Sequence, residues 1–326
     1  MSIAGRHFRT FRKKLARALL IPLELLLVRL ASFALPRLSR RGILRLSRFI
    51  GACAMRFGRR DNRFMQANLR LVYGDSMDDA ERRRFMRAVW NHASLVLLDF
   101  FWFLRDTHER VLRHVDIDPS FLALSRGTTG CMGVTAHLGN WELVAHSMCE
   151  SGRQVTSVFA PIGATRLTQN ALLASREASG QLLVEKRGAA VHLVRTLRKG
   201  GIVGLLLDQY TKVLDGGMFV DILGMPAPIS KVAGVLHVRM KCPVHIVACV
   251  HQGDGRYRAF QAAELPADAP LDEEETTQWI ADQITALVRQ YPEQWLWMYR
   301  RWRHVAPGTD PALYPDYAHP FNPLVD

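Results

Sequence analysis

The sequence predicts an α/β fold, a largely parallel central sheet flanked by helices, preceded by an N-terminal helical segment that binds membranes. Three observations predict it. From Gly130 onward, short apolar runs alternate with amphipathic stretches of helical period, which is the pattern of strands joined by crossover helices. Residues 62–114 carry their apolar side chains at helical spacing. The first 60 residues hold 15 Lys/Arg and one acidic residue, Glu24, beside a long apolar stretch.

The N-terminal segment comes first. Its apolar stretch, Leu15 to Pro36, follows Arg6, Arg9, Arg12, Lys13, Lys14 and Arg17, and is interrupted by Glu24 and Arg29. A clean transmembrane helix needs about 20 apolar residues, so this is a marginal span that can also lie in the interface as an amphipathic anchor. A second segment, Ser39–Arg60, sets Arg41, Arg45, Arg48, Arg56 and Arg59 among Ile43, Leu44, Leu46, Phe49 and Ile50. It reads as a basic amphipathic helix. Residues 1–60 carry a net +14, whereas the remaining 28 Lys/Arg meet 29 Asp/Glu. An enzyme of nucleic acids spreads basic residues around a groove. A basic block next to apolar sequence fits an anionic membrane surface, with the bulk of the protein on the cytoplasmic side.

Residues 61–115 form a helical segment that packs on the α/β domain. Within it, Asp78–Arg105 places Phe85, Val89, Leu95, Val96, Leu98 and Trp102 behind an acidic start, predicting one long helix or two. The α/β domain, residues 116–306, then runs strand Gly130–Ala136, a helix from Asn140, strand Val155–Ala160, helix Leu167–Ser179, strand Leu182–Glu185, helix Ala189–Lys199 and strand Ile202–Asp208. Helix Lys231–Lys241, strands Val244–Val250 and Arg256–Ala262, and helix Glu273–Arg289 complete it. The tail, 307–326, contains five prolines and is expected to be irregular and draped on the surface. At 326 residues with 48% hydrophobic content, the chain can bury one large core. Five cysteines without CxxC spacing read as buried apolar residues of a reducing compartment. No zinc motif, P-loop, GxGxxG or GxSxG is present, which removes most common enzyme classes.

The chemistry concentrates in Thr135-Ala136-His137-Leu138-Gly139-Asn140-Trp141-Glu142. A bare His-x4-acid spacing carries no weight, since about one such pair arises by chance in a chain of this composition. Its setting does carry weight. His137 falls at the C-terminal end of a strand, where open α/β sheets bind their ligands, and Gly139-Asn140 turns the chain into the next helix. Across such a corner His137 and Glu142 can converge, with Glu142 orienting the imidazole while His137 removes a proton from a hydroxyl.

At these residues the chain resembles the lipid A biosynthesis acyltransferases, the late lauroyl and myristoyl transferases. The resemblance runs from the N-terminal segment to about Arg303. His137 to Glu142 matches the family's signature. Leu207-Asp208-Gln209, then Gly217, Phe219-Val220 and Gly224-Met225-Pro226-Ala227, is similar to a second block, and Pro292 to Trp297 with Arg300-Arg301-Trp302-Arg303 is similar to a third. The resemblance implies a glycerolipid-acyltransferase-like fold and transfer of a fatty acyl group from a thioester, usually on acyl carrier protein, to a hydroxyl of a membrane glycolipid at the inner membrane. It implies no metal and no dissociable cofactor. Two departures concern the acceptor: Ala160 stands where the family often has arginine, and Tyr299 where it usually has histidine. A different acceptor lipid, a thioesterase that uses water, and a non-catalytic peripheral membrane protein are the alternatives.

Around the catalytic pair, Asn140, Arg166, Arg176, Asp208 and Gln209 are expected to bind substrate. Asp208 ends a strand parallel to the one ending in His137, so both should open onto one sheet edge. It can orient a basic residue or the acceptor hydroxyl, and the two arginines can meet a phosphate. Trp295, Trp297 and Trp302 read as packing, and His92, His146, His192, His237, His245 and His251 as structural or surface residues.

Overall fold

The structure is a computed structural model that describes residues 21–22, 24–150, 152–159, 169, 173–174, 176–177, 179–186 and 188–326. Numbered along the chain, the principal strands are β1 (Val115–Ile117), β2 (Cys131–Thr135), β3 (Val155–Phe159), β4 (Leu182–Glu185), β5 (Ile202–Leu206), β6 (Gly217–Ile222), β7 (Met225–Ser230), β8 (Val244–His251) and β9 (Tyr257–Leu265). The helices are α1 (Arg40–Phe57), α2 (Arg59–Tyr73), α3 (Asp79–Trp102), α4 (Thr107–His114), α5 (Pro119–Arg126), α6 (Trp141–Cys149), α7 (Ala189–Arg198), α8 (Val232–Met240) and α9 (Glu273–Gln290). The helix expected over Leu167–Ser179 lies largely outside the described residues.

Seven strands form the central sheet in the order β1-β9-β8-β2-β5-β3-β4. Five of them, β8, β2, β5, β3 and β4, run parallel. β9 returns antiparallel to β8, with β1 parallel to it at the edge. The fold is therefore the expected α/β architecture with a largely parallel sheet. Both of its faces are covered, and the strands show why they read as continuous apolar runs. Met132, Val134, Val203, Leu205, Ile246 and Ala248 enter the core on one face, while Cys131, Ile202, Val247 and Cys249 enter the other. This period-two division of fully buried strands is what a two-sided parallel sheet requires.

β2 lies between β8 and β5, and its pairing with β5 fixes the functional edge. The register pairs Thr135 with Leu206. His137 and Asp208 each lie two residues beyond that last pair, so the sheet delivers them side by side. β6 and β7 form a separate hairpin, which the periodicity does not announce. Its turn, Leu223-Gly224, has two positive-φ residues, the requirement of a tight two-residue hairpin. α3 is a single helix of 24 residues, opened by a capping box between Asp78 and Glu81. The tail is mostly irregular, yet it is anchored: Tyr314 and Tyr317 are buried, and the Tyr317 hydroxyl bonds Asn68 of α2.

The start of the apolar stretch Leu15–Pro36 lies outside the described residues. From residue 24 the stretch is helical, and Leu26, Leu27, Leu30 and Phe33 are exposed. Among the described residues no helix is long and apolar enough to cross a membrane. α1 turns Ile43, Ser47 and Gly51 inward and leaves Arg41, Arg45, Arg48, Phe49, Arg56 and Phe57 at least partly exposed.

Candidate active site

His137 sits on the turn between β2 and α6, and that turn is pinned from behind. Its carbonyl accepts from Leu296 N at 3.0 Å, Gly139 N donates to Gln294 O at 2.9 Å, and Asn140 N donates to Cys249 O at 2.7 Å. Gly139 adopts φ +60, and a Cβ there would lie 2.2 Å from the Cys249 carbonyl oxygen. Only glycine fits such a left-handed, closely approached position. Asn140 then caps α6 by accepting from Leu143 N, and it is buried.

The carboxylate bonded to the imidazole is Asp208. His137 Nδ1 and Asp208 Oδ1 are 2.6 Å apart, with the histidine side chain 18% exposed and the aspartate fully buried. The other oxygen, Oδ2, accepts from Trp295 Nε1 at 2.9 Å and Arg301 Nη2 at 2.6 Å. Arg301 also donates from Nε to the Asp208 carbonyl at 2.9 Å and from Nη1 to the Leu296 carbonyl at 2.6 Å. Burial alone would raise the Asp208 pKa. The charges of His137 and Arg301, and the hydrogen bonds they donate, outweigh it and hold the carboxyl well below the usual carboxylate range. An ionised carboxylate can only accept, so His137 carries its proton on Nδ1. On the far side, the Gln209 amide nitrogen lies 3.1 Å from His137 Nε2, which places an accepting lone pair there.

Glu142, the acid of the His-x4-acid spacing, is not hydrogen-bonded to His137. Its carboxylate forms a two-pronged pair with Arg176, Oε2 with Nε at 2.8 Å and Oε1 with Nη2 at 2.7 Å. The carboxylate bonded to His137 is that of Asp208 instead. The physical reason lies in the turn. Glu142 is the second residue of α6 and its side chain is taken up by Arg176, whereas the register of β2 and β5 brings Asp208 directly to the imidazole. Burial would raise the Glu142 pKa, but the Arg176 hydrogen bonds and charge lower it further, with small contributions from His146 and His137. Glu142 therefore adds a negative charge near His137 while its hydrogen bonds go to the arginine.

Of the seven expected residues, the structure brings His137, Asp208 and Gln209 into one bonded cluster and joins Glu142 to Arg176 beside it. Asn140 faces inward at the helix cap, and Arg166 lies outside the described residues. Sequence reading missed the second function of Trp295 and Arg301. Both are buried packing residues, and both donate to Asp208. His92, which reads as structural in the sequence, touches the site as well. Its Nε2 lies 3.0 Å from the Gly139 carbonyl, which can only accept, so His92 donates to the turn that carries His137. Among the described residues no three His, Cys, Asp or Glu side chains converge as metal ligands would.

The arrangement is a histidine with an accepting Nε2, backed by a carboxylate that two further donors hold in place. Such a pair takes a proton from a hydroxyl and returns it to a leaving group. The family model for bacterial lipid A biosynthesis acyltransferase matches residues 12–304. The chain is 25% identical over 289 residues to the lipid A biosynthesis lauroyltransferase of Escherichia coli (strain K12), covering 83% of this chain and 88% of that protein. The family match takes in the turn that carries His137, the strand end that carries Asp208 and the segment that clamps it, and the chain belongs to the bacterial lipid A biosynthesis acyltransferase family.

Proposed function

We propose that this acyltransferase moves a fatty acyl group from a thioester on acyl carrier protein to a hydroxyl of a lipid A-type precursor, at the cytoplasmic face of the inner membrane. The observation that carries the reading is the His137–Asp208 pair. The acceptor hydroxyl takes the place of Gln209 at His137 Nε2 and loses its proton as its oxygen attacks the thioester carbonyl. The tetrahedral intermediate collapses, the C–S bond breaks, and the imidazolium returns the proton to the departing sulfur. Asp208 stabilises the imidazolium between the two steps. The Glu142–Arg176 pair flanks this path and orients the substrate. The +14 of residues 1–60 and the exposed Leu26, Leu27, Leu30 and Phe33 support attachment to the membrane that holds the acceptor.

Direct attack requires both substrates bound together and no covalent acyl-protein. The test is incubation with acyl thioester, with and without lipid acceptor, followed by intact-protein mass spectrometry and product analysis. Unmodified protein and an acylated lipid are expected, and His137→Ala should lower turnover by at least about 10²-fold. A stoichiometric acyl adduct chased off by acceptor would overturn direct transfer. Free fatty acid as the sole product would favour a thioesterase.

A further inference from the structure

The central sheet ends unevenly beside His137. β2 pairs with β8 as far as Val134 opposite Ile246, yet β8 continues to His251. Two other groups take up the edge of β8 beyond that point. The Cys249 carbonyl accepts from Asn140 N at 2.7 Å, on the turn that carries His137. Two residues on, His251 is held by the side chain of Gln294. Its N–H donates to Gln294 Oε1 at 2.9 Å, and its carbonyl accepts from Gln294 Nε2 at 3.0 Å. A carboxamide carries the donor and the acceptor of a peptide unit, so Gln294 stands where the next strand residue would pair. Alternate residues of a strand bond toward one side, and the His137 turn and Gln294 therefore dock on the same edge, one repeat apart.

Gln294 also opens the segment that joins the two halves of the site. Its own carbonyl accepts from Gly139 N at 2.9 Å, and Leu296 N donates to the His137 carbonyl at 3.0 Å. These bonds lay Trp295 across Leu138 as an antiparallel bridge. Between them the buried Trp295 turns its Nε1 to Asp208 Oδ2 at 2.9 Å. The segment thus holds the backbone of His137 and the side chain of Asp208 at once, and the amide of Gln294 seats it one residue away. Its far end is fixed by Asn68 of α2, whose Nδ2 donates to the carbonyls of Trp297 at 2.7 Å and Tyr299 at 2.9 Å. Asn68 is a poor probe, because its loss also strands the hydroxyl of the buried Tyr317.

We propose that Gln294 is a positioning residue: by docking its side chain on the edge of β8, it sets Trp295 against Asp208 and so fixes how that carboxylate meets His137. The inference rests on the reading of His137 as the base. The fold supplies its own control. Gln278 of α9 makes the same paired contact with Asp221 of β6, accepting from its N–H at 2.9 Å and donating to its carbonyl at 3.3 Å. That contact lies on a hairpin outside the central sheet. Methionine keeps the unbranched length of either glutamine and removes both bonds.

The experiment measures kcat, and KM for the acyl thioester and the lipid acceptor, in the full-length protein, each variant with a thermal melt. The variants are Gln294→Met, Gln278→Met, Trp295→Phe, the first and third combined, and His137→Ala. We expect Gln294→Met to lower kcat about tenfold, the scale of one or two lost hydrogen bonds, with both KM values within about twofold of wild type. Gln278→Met should keep kcat within about twofold, whatever its Tm. The double variant should lose clearly less than the product of the two single losses, because both act on the placement of Asp208. Should Gln294→Met fail to fold, Gln294→Glu carries the same expectation: it still accepts from His251 N but sets an oxygen against the His251 carbonyl. Wild-type kcat in a folded Gln294 variant, a change confined to KM, an equal kcat loss in Gln278→Met, or multiplicative losses in the double variant would overturn the assignment. If His137→Ala keeps its activity, the base assignment fails and the positioning role falls with it. An inactive His137→Ala beside a normal Gln294→Met sinks the positioning role alone.

Discussion

Replacing Asp208 by asparagine tests the catalytic assignment most directly, because the structure dictates how the amide must sit. The carboxylate receives three donors: His137 Nδ1–H on one oxygen, Trp295 Nε1–H and Arg301 Nη2–H on the other. Asparagine offers one accepting oxygen and one donating nitrogen. Facing the amide nitrogen toward Trp295 and Arg301 would set donors against donors, at about 1–3 kcal/mol for each buried group left unsatisfied. The oxygen therefore stays with those two, and the nitrogen faces His137 Nδ1. The imidazole must then accept at Nδ1 and carry its proton on Nε2, where the base lone pair is needed. In a serine–histidine–aspartate triad the same inversion costs about 10⁴ in kcat; here we expect about 10³–10⁴, or roughly 4–5.5 kcal/mol on the barrier. Arg301 is 1% exposed and loses its counter-charge, so a lower Tm is expected as well. The assay is initial-rate acyl transfer from a fatty acyl thioester to a lipid acceptor, with a thermal melt and ¹⁵N shifts of the imidazole to read the tautomer. A variant that is folded at assay temperature and keeps more than about a tenth of wild-type kcat would refute the reasoning.

The neighbouring groups give further outcomes. Glu142→Gln and Arg176→Ala each dissolve the same two-pronged pair, so both should lower turnover by about tenfold or more, the scale of a charge-assisted bond. Their effects should agree within a few fold, and strongly unequal losses would mean that one partner has a separate task. His92 and His146 are pushed down to about 4, chiefly by burial. Their folded pKa lies below the unfolded value, so the unfolded chain binds protons first. The stability they contribute is complete above about pH 6.5 and is lost as the pH falls toward 4, by about 3 kcal/mol per histidine. His92→Gln retains a donor for Gly139 and does not titrate, so urea melts between about pH 7 and 4.5 should show a shallower acid loss; an unchanged slope would contradict the burial argument. Binding to anionic phospholipid vesicles should weaken steeply between about 0.1 and 1 M salt, as the screening length shortens from about 10 to 3 Å. Salt-independent binding would point to apolar insertion as the main contact.

The sequence reveals the parallel sheet through its alternating apolar runs, and it reveals His137 through a strand end followed by a glycine turn. Asp208 is also visible as the end of a parallel strand. What no local pattern contains is that β2 and β5 are neighbours in register. That adjacency spans 71 residues and is decided by packing, so the contiguous His-x4-acid spacing drew the orienting role toward Glu142. Trp295 and Arg301 illustrate a different limit. Their side chains do fill the core, as an aromatic cluster suggests, and burial is why their N–H groups need a carboxylate partner. The β6–β7 hairpin escaped because Pro226 and Pro228 in β7 speak against a strand, yet an isolated two-stranded ribbon tolerates them at positions with no ladder bond to lose.

The clamp on Asp208 also has a temporal meaning. Arg301 follows Asp208 by 93 residues, whereas the basic segment leaves the ribosome before either of them. At about 5–20 residues per second, that interval alone lasts roughly 5–20 seconds. During it, β2 and β5 can already be made while the aspartate between them still lacks Trp295 and Arg301. A nascent chain can thus reach the membrane well before its base is set, and a product truncated short of residue 301 should be attached but idle. On the proposed reading, attachment would belong to the first residues made and competence to the late ones, and an unfinished copy would hold its place without consuming substrate.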